Sequence, residues 1–276
     1  MILAVGFFDG VHLGHQEILR GADAALTFRN HPLSVLAPEL APRLLMRPED
    51  RFAAIRNCGV AEVVALDFTP ELAALSPAAF LDRLSTLVPL EALSVRCGAN
   101  WHFGAGGTGD AAFLRSRGIG VTVVPFAEYR GERISSTRIR SALESGDVTA
   151  ANAMLGRAFA VSGTVFRGKG EGSNLGFPTV NLRPANLALK LPFGVYAVRV
   201  GDATGVANYG LAPTMGPRAW TEPTLEIHFP DGAPDGLAAE SVLSVSLLRF
   251  VRPERTFASA AELQRQIAED VKSCRA

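Results

Sequence analysis

The stretch ILAVGFFDGVHLGHQ, residues 2–16, decides the fold of the first half of the chain. Its apolar start predicts a buried strand, which we extend to Phe8. The glycines that follow predict a turn, because glycine lets backbone amides approach an anion closely. His12 and His15 lie where the turn meets a short helix, and their imidazoles can hydrogen-bond phosphate oxygens. The stretch therefore predicts a triphosphate cradle; the alternative is two unrelated loop histidines.

Strand-like and helix-like segments alternate from residue 1 to about residue 126, as a parallel α/β sheet requires. The predicted strands are residues 2–8, 24–28, 60–68, 93–97 and 121–126, and the predicted helices begin near Gln16, at Pro48 and after Ser76. Open α/β sheets bind ligands beyond the carboxyl ends of their strands. We therefore expect the loops after these strands to lie on one rim, with His31 and segment 98–109 beside the two histidines.

Residues 134–145 are a second candidate anion site. Ser135, Ser136 and Thr137 stand where the N-cap of a helix would lie, and Arg140 follows one turn later. Hydroxyls, exposed amides and a guanidinium could together hold phosphates from the side opposite the histidines. The alternative is an ordinary well-capped helix.

Beyond a short predicted helix at 147–155, the pattern changes to short strands and turns, which predicts an all-β barrel. We place the boundary so that the domains are residues 1–155 and 156–276. The predicted barrel strands are residues 159–166, 195–200, 203–209, 224–228 and 241–250, and a final helix is predicted at about 260–272.

A glycine-rich loop follows the first barrel strand and ends at Pro178. Its glycines are Gly168, Gly170, Gly172 and Gly176. Such a loop alone is weak support for phosphate binding. Thr179 and Asn181 strengthen it, because residues two apart on an extended chain face the same way and offer the oxygen ligands that Mg²⁺ prefers.

Composition limits the function classes. The chain has 276 residues, enough for one large or two modest domains, and its 27 Lys+Arg balance 27 Asp+Glu, which argues against nucleic-acid or anionic-membrane partners. The three cysteines show no metal-ligand spacing and read as free thiols. No apolar stretch approaches the roughly 18 residues that span a bilayer, and no basic leader precedes the first strand. We expect a cytoplasmic protein, monomeric or weakly self-associating.

Three motifs carry a resemblance to a known family. GFFDGVHLGH (6–15) resembles the opening motif of nucleotidyltransferases, ISSTRIR (134–140) resembles their second motif, and GFPTVNL (176–182) resembles the riboflavin kinase signature. In this order, nearly end to end, they resemble the bacterial bifunctional riboflavin kinase/FAD synthetase family. The resemblance implies an α/β nucleotidyltransferase domain with a Rossmann-like parallel sheet. A six-stranded Greek-key β-barrel with a C-terminal helix would follow it.

The resemblance also implies two reactions, both with ATP and Mg²⁺. The kinase half would phosphorylate riboflavin to FMN, with Glu226 taking the proton from the ribityl hydroxyl that attacks the γ-phosphorus. The synthetase half would join FMN to the α-phosphorus of a second ATP, giving FAD, while His12, His15 and Arg140 stabilise the leaving pyrophosphate.

Further site residues follow from the same resemblance. The implied ATP contacts in the synthetase half are Gly6, Phe8, Asp9, Gly10, His31, Ser135, Ser136 and Thr137, with Asn100 beside the flavin. Those in the kinase half are the four loop glycines and Pro178, with Thr179 and Asn181 on the metal and Asn208 and Thr214 beside the flavin.

Departures from the family pattern keep two alternatives open. Only eleven residues separate His15 from Thr27, Phe7 stands where an Asn is usual, and Arg29-Asn30 replace an acidic residue and a proline. A monofunctional riboflavin kinase with an inactive first domain would fit these departures. A non-catalytic flavin-binding regulatory protein is the other alternative, although mere binding needs no base at Glu226.

Overall fold

A computed structural model describes residues 1–89, 93–168, 176–185, 189–211, 222–234 and 237–275. By its contacts the chain divides into two compact units, Met1–Ser136 and Thr137–Ala276. The first holds a parallel sheet and the second a closed antiparallel barrel, which confirms the predicted fold class. The functional boundary expected after residue 155 stays a prediction.

The five predicted strands of the first unit are all present. They are β1 (Ile2–Val5), β2 (Ala24–Phe28), β3 (Glu62–Leu66), β4 (Ser94–Gly98) and β5 (Gly120–Val124). Every pairing is parallel, and the spatial order is β3-β2-β1-β4-β5. The strand order reverses beside β1, and ligands of open α/β sheets bind in the crevice at such a switch point. The loop after β1 is therefore in the position where a site is expected.

Helices cover both faces of this sheet. They are α1 (Leu13–Leu19), α2 (Leu33–Leu36), α3 (Pro48–Arg56), α4 (Pro70–Ala73), α5 (Pro77–Ser85) and α6 (Ala111–Ser116). Side chains alternate between the faces of a strand. Leu3 of β1 accordingly packs with Phe80 of α5, while its neighbour Ala4 packs with Ile18 of α1 and Ile55 of α3. This two-sided burial explains why β1 is entirely apolar.

Two boundaries near the first motif differ from the expectation. Strand β1 ends at Val5 rather than Phe8, because Phe8 has a φ of 59° and cannot continue an extended strand. Helix α1 begins at Leu13 instead of near Gln16. This early start lets the short segment complete a parallel crossover from β1 to β2. A small hairpin of β6 (Glu128–Tyr129) and β7 (Glu132–Arg133) was not predicted.

The second unit is built on a six-stranded barrel that closes in the order β10-β11-β12-β9-β8-β13. Its strands are β8 (Phe159–Phe166), β9 (Thr179–Pro184), β10 (Gly194–Val200), β11 (Ala203–Gly210), β12 (Thr224–His228) and β13 (Val242–Pro253). Helix α7 (Ser136–Glu144) begins at the last residue of the first unit, α8 (Val148–Leu155) precedes the barrel, and α9 (Ala260–Arg275) follows it. Strand β9 was interpreted only as an extended loop end.

Helix α8 is tied to the barrel through one side chain. Asn152 Nδ2 donates to the Leu247 carbonyl at 2.8 Å, and its Oδ1 accepts from the Phe159 amide at 2.7 Å. The amide thus satisfies a backbone group at the start of β8 and another in the middle of β13. At the far end of the chain, Arg252 of β13 is paired with the buried Asp270 of α9 at 2.7 Å.

In the described segments, no helix is long and apolar enough to cross a membrane.

Replacing Asn152 by Ala should destabilise the second unit by about 1–3 kcal/mol, because a strand N–H and a strand carbonyl would lose their partner. Denaturant unfolding measures the change. Thr149→Ala, an exposed position on the same helix, is the control and should change stability by less than about 0.5 kcal/mol. Equal effects of the two substitutions would contradict the assigned role of Asn152.

Candidate active sites

The loop after β1 is held in an unusual backbone conformation. Phe8 has a φ of 59° and Val11 a φ of 41°, values that residues with a Cβ rarely adopt. Gly10 has a φ of 81°. The Asp9 carboxylate, 3 % exposed, accepts from the Leu45 amide at 3.0 and 3.2 Å and so fixes the middle of the loop. Strain of this kind persists only where the surroundings impose it, and it is concentrated at functional sites.

The two histidines of the first motif stand together at the start of α1. The rings of His12 and His15 stack with centroids 3.5 Å apart. His12 is the N-cap of α1, and its Nδ1 accepts from the His15 amide at 3.3 Å. The edge-on Phe8 ring, 5.4 Å from the His15 ring, supports the pair from the core. The predicted juxtaposition is therefore formed, while the assignment of phosphate binding to these rings stays a prediction.

His15 is held in its neutral form. Burial lowers its pKa well below the ordinary value, and the charges of His12, Arg133 and Arg51 lower it further. Its buried Nδ1 has no hydrogen-bond partner among the residues that the structure describes. A neutral imidazole can donate one hydrogen bond to a phosphate oxygen without a proton having first to be taken up.

The other residues predicted for this site fall into three groups. Ser136 lies close to the loop, since its Oγ donates to the Asp9 carbonyl at 2.8 Å. Ser135 is half-buried just before it. Thr137 and Arg140 belong to the second unit, and their action on the phosphates stays a prediction.

The residues predicted to contact ATP differ in which of their atoms can face a ligand. The Phe8 ring is 1 % exposed and belongs to the core, so only its backbone can face a ligand. Gly6 is required next to it, because a Cβ there would lie 2.9 Å from the Phe8 ring. His31 follows β2; its Nδ1 accepts from the Leu33 amide at 3.1 Å, and its ring lies edge-on to Phe7 with centroids 4.7 Å apart. Their predicted ATP contacts remain untested.

An apolar cavity of about 420 Å³ opens beside the same loop. Its walls include Phe7, Phe28, Phe68, Phe80, Trp101 and Phe103. Trp101 lines the cavity and stacks on Phe103 with centroids 4.8 Å apart. Asn100 is exposed at the turn just ahead of Trp101. A cavity of this size and aromatic character suits a flat, fused-ring ligand.

Arg51 is the residue of this region that sequence reasoning missed. It lies on α3, is 0 % exposed, and its Nη2 donates to the Phe28 and Arg29 carbonyls at the end of β2. Its Cζ is 4.1 Å from the centroid of the Phe7 ring. A signal was present in the sequence, because Arg51 is four residues before the inward-facing Ile55 and so shares its helix face. Charged residues are rarely buried, so this spacing alone does not identify Arg51 as a buried residue.

In the second unit, strand register aligns three of the predicted residues. Glu226 of β12 is paired with Asn208 of β11 on one side and Asn181 of β9 on the other. Directly opposed residues project to the same face of a sheet. Leu225 and Ile227 are buried, so Glu226 lies on the opposite face of β12. Asn208, Glu226 and Asn181 therefore form one polar row across three strands.

The metal-ligand prediction falls at one end of this row. Thr179 is two residues before Asn181 on β9, and it is opposed by His228, whose Nδ1 is 3.0 Å from the Pro178 carbonyl. Gly168 passes directly over Asn181, since a Cβ at Gly168 would be 2.3 Å from the Asn181 Nδ2. The predicted contacts Gly170, Gly172 and Thr214 lie outside the described residues, while Gly176 is described, with a φ of 83°.

The low pKa of His15 gives the first unit a pH-dependent stability. Unfolded histidine has a pKa of about 6.5, so below that pH the unfolded chain binds a proton that folded His15 excludes. Stability is therefore complete above about pH 6.5 and is lost as the pH falls, by at most about 1.4 kcal/mol per pH unit. We expect His15→Gln to lose less stability than the parent between pH 7.5 and 5.5.

Fluorescence of Trp101, in a Trp220→Phe background, follows unfolding of the first unit for this comparison. The control is His102→Gln, which changes an exposed loop histidine and should leave the parent's pH dependence unaltered. Identical losses in His15→Gln and the parent would show that His15 is not the group responsible.

Comparison with known proteins assigns each half of the chain to a family model. Residues 1–138 match the family model described as FAD synthetase, and residues 155–276 match that described as riboflavin kinase. The chain is 32 % identical to the bifunctional riboflavin kinase/FMN adenylyltransferase of Bacillus subtilis, over 98 % of this chain and 90 % of that one. It is 35 % identical to the protein of the same name from Escherichia coli K12, over 99 % and 91 %.

A solved structure gives the same result for the fold. A Streptococcus pneumoniae protein described as a macrolide-efflux protein superimposes with a TM-score of 0.85 at 27 % identity, over 99 % of this chain and 93 % of that chain. Two domain matches in the expected order, together with relatives similar over almost their whole length, establish the relationship. The chain belongs to the bifunctional riboflavin kinase/FMN adenylyltransferase family.

Proposed function

We propose that this protein phosphorylates riboflavin to FMN and then adenylylates FMN to FAD, each time with ATP. The observation that carries the proposal is that residues 1–138 match the family model described as FAD synthetase and residues 155–276 match that described as riboflavin kinase. We assign the adenylyl transfer to residues 1–155 and the kinase reaction to residues 156–276.

In the kinase half, Glu226 is proposed as the general base. Its carboxylate lies in the row between Asn181 and Asn208, where it can accept the proton of the terminal ribityl hydroxyl as that oxygen attacks the γ-phosphorus. Asn208, on the next strand, would hold the flavin side of the substrate. Phosphoryl transfer depends mainly on positioning and charge neutralisation, so a single base within a row of polar groups is sufficient.

The donor set on β9 fits a divalent cation. Thr179 and Asn181 supply neutral oxygen atoms, which suit Mg²⁺ when phosphates supply the rest of its coordination. Gly168 leaves the space above Asn181 that any larger residue would fill. Mg²⁺ bound with ATP would neutralise charge on the phosphates. Thr179 and Asn181 would hold and orient that complex toward Glu226.

In the synthetase half, the residues are proposed to position groups rather than to form a covalent intermediate. The FMN phosphate is itself the nucleophile and needs no base. His12 and His15, with Arg140 and the hydroxyls of Ser135, Ser136 and Thr137, would bind the triphosphate and stabilise the departing pyrophosphate. The aromatic cavity beside Phe7 and Trp101 would hold the flavin ring.

The alternative of a silent first domain has little structural support. The short segment between β1 and β2 completes its crossover, the histidine pair is assembled, and the cavity beside it is open. We further propose that the substrates are small molecules only, with no nucleic-acid or membrane partner. The protein would act in the cytoplasm as a monomer or a weakly associating species.

Gly168→Ala should lower riboflavin phosphorylation about ten- to a hundredfold, because the added methyl would displace the Asn181 amide that is proposed to hold the metal. The measurement is the initial rate of FMN formation at varied Mg²⁺. FAD formation from supplied FMN, in the same preparation, is the control and should not change. An unaltered rate of riboflavin phosphorylation would show that Asn181 does not hold the metal.

Glu226→Gln tests the division of labour. It should reduce FMN formation from riboflavin at least about a hundredfold, because the amide cannot accept the hydroxyl proton, while FAD formation from FMN stays within about twofold of the parent. Glu222→Gln, the same exchange at an exposed position, should alter neither rate. If both activities fell together in Glu226→Gln, the assignment of the two reactions to separate sites would be wrong.

A further inference from the structure

The most unusual side chain of the first unit is Arg51, the largest of its fully buried residues. A guanidinium carries five N–H donors. Those on Nη2 reach the Phe28 and Arg29 carbonyls, but Nε and Nη1 are buried with no hydrogen-bond partner in the described part of the chain. An unpaired buried donor costs about 1–3 kcal/mol, and more on a charged group. A buried group that destabilises the fold in this way is usually retained for a function.

No carboxylate forms an ion pair with Arg51 within the described residues. The charges of Asp9 and Glu49 act favourably on Arg51, and the Asp9 carboxylate also accepts a hydrogen bond from the Leu45 amide. Burial lowers the pKa of Arg51 to about 10, so the group remains charged at neutral pH. A positive charge therefore lies beneath the loop between β1 and α1, and no carboxylate of the described residues forms an ion pair with it.

Arg51 also connects the two loops of the proposed triphosphate site. Its Nη2 holds the carbonyls of residues 28 and 29, immediately ahead of His31, and its charged plane lies 4.1 Å from the ring of Phe7 in the first motif. Phe7 in turn contacts His31 edge-on. The guanidinium thus connects the ends of β1 and β2. Its charge also lowers the pKa of His15.

We propose that Arg51 is a positioning residue for the ATP triphosphate in adenylyl transfer. Its side chain fixes the Phe7 and His31 loops relative to each other, and its buried charge attracts the phosphates through a medium of low dielectric constant. This inference rests on the proposed synthetase activity. Because Arg51 is covered by Phe7 and is 0 % exposed, it acts through the loops and through its charge, not as a catalytic residue.

A charge that attracts ATP equally in the ground and transition states changes KM without changing kcat. We therefore expect Arg51→Met to raise the KM for ATP in FAD synthesis at least tenfold and to leave kcat within threefold of the parent. Arg51→Lys keeps the charge and should restore most of the ATP affinity. Arg56→Met, an exposed position on the same helix, is the matched control and should have the parent's constants.

The experiment uses the full-length chain, with FMN and Mg²⁺ fixed and ATP varied, and measures riboflavin phosphorylation in the same preparations. A purely structural arginine would reduce the amount of active enzyme, which lowers apparent kcat at constant KM, in both Arg51 variants; that result would overturn the proposal. If Arg51→Met fails to fold, Arg51→Gln decides, because it keeps hydrogen-bond donors and removes the charge: a KM for ATP raised at least tenfold with kcat within threefold supports the proposal, and a KM within threefold of the parent refutes it. Absence of FAD synthesis in the parent would instead refute the proposed function.

Discussion

The first unit depends on one constraint, which is that the chain must leave β1 and enter α1 within a few residues. Phe8, Gly10 and Val11 adopt positive φ to do so, and two of these three have side chains that oppose it. The buried Asp9 carboxylate, bound to the Leu45 amide, holds the turn in place. The result is that His12 and His15 stack at the start of α1 instead of lying along a longer loop. Everything proposed for adenylyl transfer requires this placement.

The same turn explains the electrostatics of the site. His15 is buried and neutral, and the positive charges of Arg51 and Arg133 act on it. Two arginine charges beside a neutral imidazole suit a polyanion such as a triphosphate. In the second unit, strand pairing and not a strained loop positions the predicted site residues. There, the antiparallel register brings Asn181, Glu226 and Asn208 into one row without any unusual backbone at those positions.

Sequence periodicity identified most of the strands and helices, but it did not identify which residues of distant segments contact each other. The alternation in residues 224–228 identified β12 and the face of Glu226, because the two-residue period of a strand is a local property. The pairing of Glu226 with Asn208 and Asn181 depends on register between distant segments, which periodicity does not contain. Strand β9 was missed as a strand because it directly follows a glycine-rich loop and Pro178, and because its last residue is Pro184.

Arg51 shows the same limit for side chains. Its helix was predicted from Pro48, and its face follows from the spacing to Ile55. Its burial nevertheless depends on Phe7 and on the carbonyls of residues 28 and 29, which come from two other segments. The early end of β1 was unpredictable for a related reason, since Phe8 reads as a strand residue and its positive φ is imposed by the turn.

The most direct test of the central claim is to identify the products of two separate incubations of the unmodified protein with ATP and Mg²⁺. One incubation receives riboflavin and the other FMN, and the flavins are separated by chromatography. Two working sites predict FMN, followed by FAD, in the first incubation and FAD in the second. FMN from riboflavin with no FAD in either incubation would contradict the claim, since the first unit would then be catalytically silent.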